Sequence, residues 1–189
     1  KKGDLTPIFQ SPPISQGKYF VTPHLITFCA IIFSALLYNV WVLSGKLFFY
    51  ADDWMWLYPA QFLKWSQYFA LFPSVIHNDR PVGALFVKLV YQIFSLHFFP
   101  YQFIWLLLHS INCVLIYIIA SRYVSRGSAL LTAILAATWF SNTIVVASIA
   151  AIFDLLGATF CLLIIFFRQL SLRNRNNMLS NIAGVACYL

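Results

Sequence analysis

Apolar residues gather in long unbroken blocks along this chain, and the polar residues fall between them. The first block, 24–43, runs about twenty residues without a charge, the length of a helix that crosses the roughly 30 Å hydrocarbon core of a bilayer. Residues 44–100 are also apolar, but Lys46, Asp52, Asp53, Pro59, Lys64, Pro73, His77, Asn78, Asp79, Arg80, Pro81 and Lys88 interrupt them. Unbroken blocks return at 101–120, 129–143 and 146–167. A last block, 178–189, is too short to cross alone, so the chain is expected to be the front part of a longer protein. Basic clusters separate the later blocks: Arg122 with Arg126, then Arg168, Arg173 and Arg175. The pattern predicts an all-α, polytopic transmembrane helix bundle, with a short segment 1–22 ahead of a transmembrane domain 23–189.

The interrupted segment 44–100 reads as an outer loop carrying two amphipathic surface helices. The first is expected over 59–72, with Pro59 in its first turn, where a missing N–H costs nothing. The second begins at Pro81, with Asn78 or Asp79 available as a cap. Lys88, Gln92 and Ser95 fall at i, i+4 and i+7, a single polar stripe on an apolar helix, which suits a helix lying in the interface. Trp54, Trp56, Tyr58, Trp65 and Tyr68 suit headgroup depth. If 81–99 lies flat, segment 1–22 and the two later basic loops share the cytoplasmic side. Eight of the twelve basic residues are then inside, as the positive-inside rule requires. Asp52, Asp53, Asp79 and Asp154 stand at or near the outer face, whether that face is periplasm, cell exterior or a lumen.

Composition narrows the class. Hydrophobic residues form 61% of the chain and charged residues 9%, against about 45–50% and 25% in soluble domains. A soluble fold would have too little polar surface to cover its core. The net charge of +7 comes largely from topology-setting loops, so nucleic acid is not an expected partner. Cys29, Cys113, Cys161 and Cys187 lie inside apolar stretches without metal-ligand or redox spacing and read as small buried hydrophobes.

The candidate chemistry starts with Asp52 and Asp53. The chain has five acidic residues and no glutamate, and an acid pair set against a tryptophan-rich apolar segment is costly unless it works. Neighbours on a helix point about 100° apart, so the two do not form a face-sharing dyad. One carboxylate is expected to aim into a cleft as a general base, while its neighbour serves a cap or an ion. The plain alternative is a helix start, where acids favour the dipole. The run from His77 to Pro81 is the most polar part of the loop, and Arg80 presents a planar fork suited to phosphate oxygens. Asp154, near the outer end of the fourth block, is a second carboxylate or a structural partner for an arginine. His109 and Asn112 suit hydrogen bonds between helices. No zinc site is expected.

Together these features resemble the N-terminal part of the GT-C class of membrane glycosyltransferases, which includes protein O-mannosyltransferases, lipid A aminoarabinose transferases and their bacterial relatives. The resemblance lies in a span followed by an acid in an outer loop, then Arg80-Pro81 and an amphipathic helix ending near Ser95-Leu96-His97-Phe98. A span with His109 and Asn112, an arginine-containing turn, the run 129–137 and Asp154-Leu155-Leu156 follow. It covers roughly residues 24–170. It implies inverting transfer from a polyprenyl-phosphate-linked sugar, with Asp52 or Asp53, preferably Asp52, as the base that activates the acceptor. By the same analogy Arg80 meets the donor phosphate, with His77, Lys88 and Asp154 also facing the substrate. Some members use a divalent cation near the outer acids and others do not. Members of the class have more spans than are read here, so further transmembrane helices or partner subunits are expected to complete the donor cavity. The main alternative is a non-catalytic membrane scaffold subunit, a degenerate remnant of such an enzyme. A transporter or channel fragment fits less well, because an ion path needs more intramembrane charge.

Overall fold

The computed structural model describes residues 22–40, 48–69, 80–139 and 147–173. Among these residues every regular element is helical and there is no strand. In chain order the elements are α1 (Thr22–Tyr38), α2 (Asp53–Phe62), α3 (Trp65–Tyr68), α4 (Pro81–Phe94), α5 (Phe98–Ala120) and α6 (Arg126–Thr138). A 3₁₀ turn, Ile149–Ala151, then leads into α7 (Ile152–Arg173).

Helix α5 is the axis of the molecule. It packs against α1, α6 and α7. Paired bonds fix its direction relative to α7: Gln102 Nε2 donates to the Ala147 carbonyl, Asn112 Nδ2 to that of Leu155, and Gln169 Nε2 to the Tyr123 hydroxyl. Both sides of this ladder climb in sequence together, so α5 and α7 run parallel. Helix α6 returns between them, because the His109 ring nitrogen near mid-α5 meets the carbonyl of Ala137 at the far end of α6. In α1, Phe28 stands edge-on to Tyr117 near the C-terminal end of α5. One end of the bundle thus gathers Arg122, Arg126 and Arg168, and the other gathers Asp52, Asp53, Arg80 and Asp154.

Two helices are long and apolar enough to cross a membrane, Phe98–Ala120 and Ile149–Ser171. At 23 residues each they rise about 34 Å. The expected spans 24–43 and 129–143 take shape differently. Helix α1 has 17 residues and α6 has 13, rising about 25 and 20 Å, less than the hydrocarbon core. Residues 41–47 and 140–146, which would complete them, lie outside the described residues, as do 1–21 and the partial block 178–189. Helix α6 starts at Arg126, ahead of the expected 129, because Ser125 caps it by accepting from Ser128 N. Helix α7 continues past the expected 167 through Arg168. The Gln169–Tyr123 bond and the Arg122 guanidinium, 5.3 Å from the centre of the Phe166 ring, pin that last stretch.

The core has two compartments along α5. Toward its C-terminal half, Cys113 and Tyr117 pack with Ile31, Ala35 and the Ala129, Ala133 and Ala137 stripe of α6. The three alanines are fully buried, and small side chains at i, i+4 and i+8 let the helices approach closely. Toward its N-terminal half, Tyr101 and Trp105 pack with Trp56, Leu57, Ala60, Ala84, Val87, Ile149 and Ile152. This second compartment seats α2 and α4 on the acid-bearing end. Cys29 and Cys161, expected to be buried, lie on outward faces.

Candidate functional site

The loop ahead of α2 is held by a buried acid. Asp53, the first residue of α2, is 1% exposed. Its Oδ2 accepts from Tyr50 N at 3.0 Å, and its Oδ1 accepts from Ser148 Oγ at 2.9 Å and Ala150 N at 3.1 Å. These three donors give both oxygens of the buried side chain hydrogen-bond partners, as buried polar groups require. The bonds staple the start of α2 to the 3₁₀ turn that opens α7. Ala51, just before the acids, has φ 23°, a strained value for a residue with a Cβ.

This anchoring separates the two acids. Asp53 is committed to structure, whereas Asp52 is exposed and is held in place by its neighbour. Asp53 staples α2 to the turn ahead of α7, and Asp52 stands exposed beside it. The first surface helix is displaced from its expected position as a result. It begins at Asp53 rather than Pro59, because acids at the N-terminus complement the dipole and Asp53 finds its donors there. Pro59 sits inside the helix, and α2 ends at Phe62.

Phe153 is the hub of this end. The Trp56 ring lies 4.0 Å from it, centroid to centroid, and the Arg80 guanidinium carbon stands 5.3 Å from its centre. Gly83, on the first turn of α4, presses its backbone so close that a Cβ there would overlap the Phe153 ring. Asp154 follows in sequence and is exposed in the first turn of α7. Arg80 and Asp154 are thereby brought to one neighbourhood, with Asp52 one turn of α2 from Trp56. His77 lies outside the described residues, as do the expected caps Asn78 and Asp79.

Lys88 is placed elsewhere. It is 5% exposed, and its Nζ donates to the carbonyls of Ala60 and Leu63 at 2.6 and 2.7 Å. These carbonyls, at the end of α2, have no helical donor of their own, so Lys88 is a cap reaching across from α4. The Trp65 and Tyr68 rings flank it at 6.0 and 5.9 Å. Burial lowers its pKa and raises the Tyr68 phenol to about 12. Gln92, one turn on, accepts from Trp65 Nε1. Two members of the polar stripe expected to face headgroups, Lys88 and Gln92, therefore face α2 and α3. Trp56 likewise turns into the core, while Trp54 and Tyr58 stay exposed.

His109 and Asn112 take the helix-bridging role expected of them. Asn112 Oδ1 accepts from Thr159 Oγ1 at 2.8 Å while its Nδ2 holds Leu155 O. Among the described residues no three His, Cys, Asp or Glu side chains gather as a metal site would require. A cavity of about 590 Å³ opens between Ile93 and Pro100, at the α4–α5 corner rather than at Asp52, Arg80 or Asp154. An aromatic cluster joins the two places: Phe49 packs on Trp54, Phe98 and Tyr101. The residues that build the site but carry no sequence motif are Ser148, Gly83 and Phe153. Comparison with protein families, with curated proteins and with solved structures finds no match for this chain.

Proposed function

We propose that the chain is part of a polytopic membrane glycosyltransferase of the GT-C class, transferring a sugar with inversion from a polyprenyl-phosphate donor at the non-cytoplasmic face. Segment 1–22 and the arginine end of the bundle lie in the cytoplasm, and the acid-bearing end faces out. Asp52 takes the proton from the acceptor hydroxyl or amine as that group attacks the anomeric carbon, and the lipid phosphate leaves. Arg80, beside Phe153, meets the charge that develops on the departing phosphate. Asp53 positions Asp52 and does not itself touch substrate.

The observation that supports this best is the asymmetry of the acid pair. A carboxylate with three donors fixes the backbone, and an exposed carboxylate next to it shares one end of the bundle with an exposed arginine. The test is Asp52→Asn and, separately, Asp53→Asn in the full-length protein, with transfer from a polyprenyl-phosphate sugar assayed. Asp52→Asn is expected to lose transfer while keeping its fold. Full transfer in both variants would end the assignment.

A scaffold subunit is the second reading, and one observation favours it. Only 17% of the apolar window of Ile149–Ser171 is buried, which leaves a large face of α7 for lipid or for further helices. On this reading Asp52→Asn leaves a partner complex intact and active.

A further inference from the structure

The arginine end of the bundle carries charge that the described residues do not neutralise. Arg122 and Arg126 flank the turn from α5 to α6, and Arg168 on α7 is exposed as they are. Arg173 and Arg175 follow in sequence. From Pro81 to Leu189 the sequence has one acid, Asp154, and it stands in the first turn of α7, at the opposite end. The other described carboxylates, Asp52 and Asp53, share that opposite end. Arg126 is also the first residue of α6, with no acid in the turn, so a cation stands where the helix dipole favours an anion. Like charges gathered in this way repel one another, and an anion from outside the chain offsets that cost.

Depth points to the kind of anion. Helix α5 ends at Ala120, just ahead of Arg122, and the apolar stretch of α7 ends at Ser171, within a turn of Arg168. The Gln169 Nε2 donates to the Tyr123 hydroxyl at 3.1 Å, which sets the α5–α6 turn level with the last turns of α7. The arginines thus stand where two membrane-length helices finish. Tyr123 and Val124, in the same turn, are 75% and 48% exposed. An outward tyrosine beside exposed cations suits the boundary between hydrocarbon and headgroups.

We propose that this end of the bundle binds the headgroups of anionic glycerophospholipids in the adjoining leaflet, with Arg126 and Arg168 as the chief cations. The proposal rests on α5 and α7 crossing the membrane and is independent of glycosyl transfer. A guanidinium presents a planar fork of donors that matches phosphate oxygens. Basic residues gathered at the end of a span attract anionic lipid, and the attraction falls off within a Debye length of the surface. The bilayer supplies the anion, because its headgroups surround the ends of both spans whereas a soluble phosphate reaches them only by diffusion. Arg122, whose guanidinium carbon is 5.3 Å from the centre of the Phe166 ring, is held against α7 and adds its charge to the same end.

The test uses the full chain in phosphatidylcholine vesicles containing phosphatidylglycerol with a photoactivatable group beside its phosphate. After irradiation, adducts are expected to concentrate at residues 122–126 and 166–169. Arg126→Gln and Arg168→Gln are each expected to reduce them about fivefold, and the two together about twenty-five-fold, from the roughly 1 kcal/mol that one basic residue contributes near an anionic surface. Arg126→Lys and Arg168→Lys keep the charge and should retain most of the labelling, with thermal unfolding confirming that all the variants fold. Phosphatidylcholine carrying the same group should label this end as weakly as phosphatidylglycerol labels the double glutamine variant. Equal labelling by the two lipids, undiminished labelling of the double glutamine variant, or labelling around Asp154 as strong as at the arginines overturns the proposal. Inorganic phosphate, at an ionic strength matched with sodium chloride, should leave the labelling in place; displacement by it marks a soluble-anion site and overturns the lipid assignment. Release of the chain from vesicles by an alkaline wash overturns it through a separate readout, by removing the spans themselves.

Discussion

Ser148 donates its hydroxyl to the Asp53 carboxylate at 2.9 Å across 95 residues of sequence, and that bond ties the start of α2 to the start of α7. The Ala150 N–H donates to the same carboxylate oxygen, so two bonds join these segments. Because Asp53 is buried, losing a donor leaves one of its oxygens short of a hydrogen-bond partner. We expect Ser148→Ala to cost about 1–3 kcal/mol. Asp53→Asn should cost more, since an amide nitrogen in the place of Oδ2 sets its own N–H against that of Tyr50, donor against donor. Thermal unfolding in detergent reads both. If Asp53→Asn unfolds no earlier than the parent, the staple carries no stability.

Lys88 makes a similar link between α2 and α4, through carbonyls rather than a carboxylate. Lys88→Met keeps most of the side-chain volume and removes both bonds to Ala60 and Leu63. Two carbonyls are then left without a donor, so we expect a loss of about 2–4 kcal/mol, roughly 1–2 for each. If Lys88 instead served substrate with no structural duty, the same substitution would leave the unfolding temperature unchanged and lower only transfer.

The division of the chain into apolar helices was legible from hydrophobic block length, because α5 and α7 have little choice of structure once 20 apolar residues follow one another. Pro81 announced the start of α4, and the alanines of 129–137 announced a close-packed face. Asn112 was legible as a helix bridge because a polar amide in an apolar run must find partners. The polar stripe of α4 misled, because periodicity shows that a face is polar and not what it meets. Lys88 and Gln92 meet the backbone of α2 and the Trp65 ring system, which a single helix cannot reveal. The acid pair was visible, but its split into a buried and an exposed member depends on Ser148, far away in sequence and unremarkable there. Phe153 and Gly83 were silent for the same reason: a close approach leaves no local mark.

Gly83 is required by that approach. With a Cβ in the place of the Phe153 ring, either the ring leaves its site against Trp56 or α4 shifts off α7. Gly83→Ala is therefore expected to destabilise the acid-bearing end by about 1–3 kcal/mol, despite the better helix propensity of alanine. Arg80 would move with Phe153, so under the function proposed above transfer should fall as well. Tryptophan fluorescence reports the repacking through Trp56. Shortening the partner by Phe153→Leu should restore part of the loss in the double variant, as contacting residues do not behave additively.

Tyr68 gives the contact between α3 and Lys88 of α4 a dependence on alkaline pH. The unfolded chain releases a phenol proton near 10.0, whereas burial holds the folded group to about 12. The folded state favours the protonated phenol, so its contribution is intact below pH 10 and is lost as the pH rises from there toward 12. We expect the unfolding temperature to fall between pH 10 and 11.5 and to fall less in Tyr68→Phe. Other groups titrate in the same range, so the difference between the two proteins is the informative quantity. Parallel curves for the two would show that this phenol stays in contact with water.

Ser95 sits at the left-handed position of the turn that joins α4 to α5. Its φ of 51° and ψ of −131°, with His97 N donating to the Phe94 carbonyl at 3.1 Å, describe a type II′ turn, whose first central residue is ordinarily glycine. Serine pays about 1–3 kcal/mol in backbone strain there. The turn persists because the Tyr101 hydroxyl donates to the Ser95 carbonyl at 2.8 Å and His97 holds Phe94 from within. Ser95→Gly should relieve the strain and raise the unfolding temperature by about 2–4 °C, the shift that about 1 kcal/mol produces in a chain of this size. Tyr101→Phe should lower it by a similar amount, since the Ser95 carbonyl loses its donor. The two effects are coupled. A glycine turn forms without being forced, so the tyrosine substitution should cost less in the Ser95→Gly background than in the parent. Simple additivity in that double variant would mean that the Tyr101 bond does not hold the turn closed.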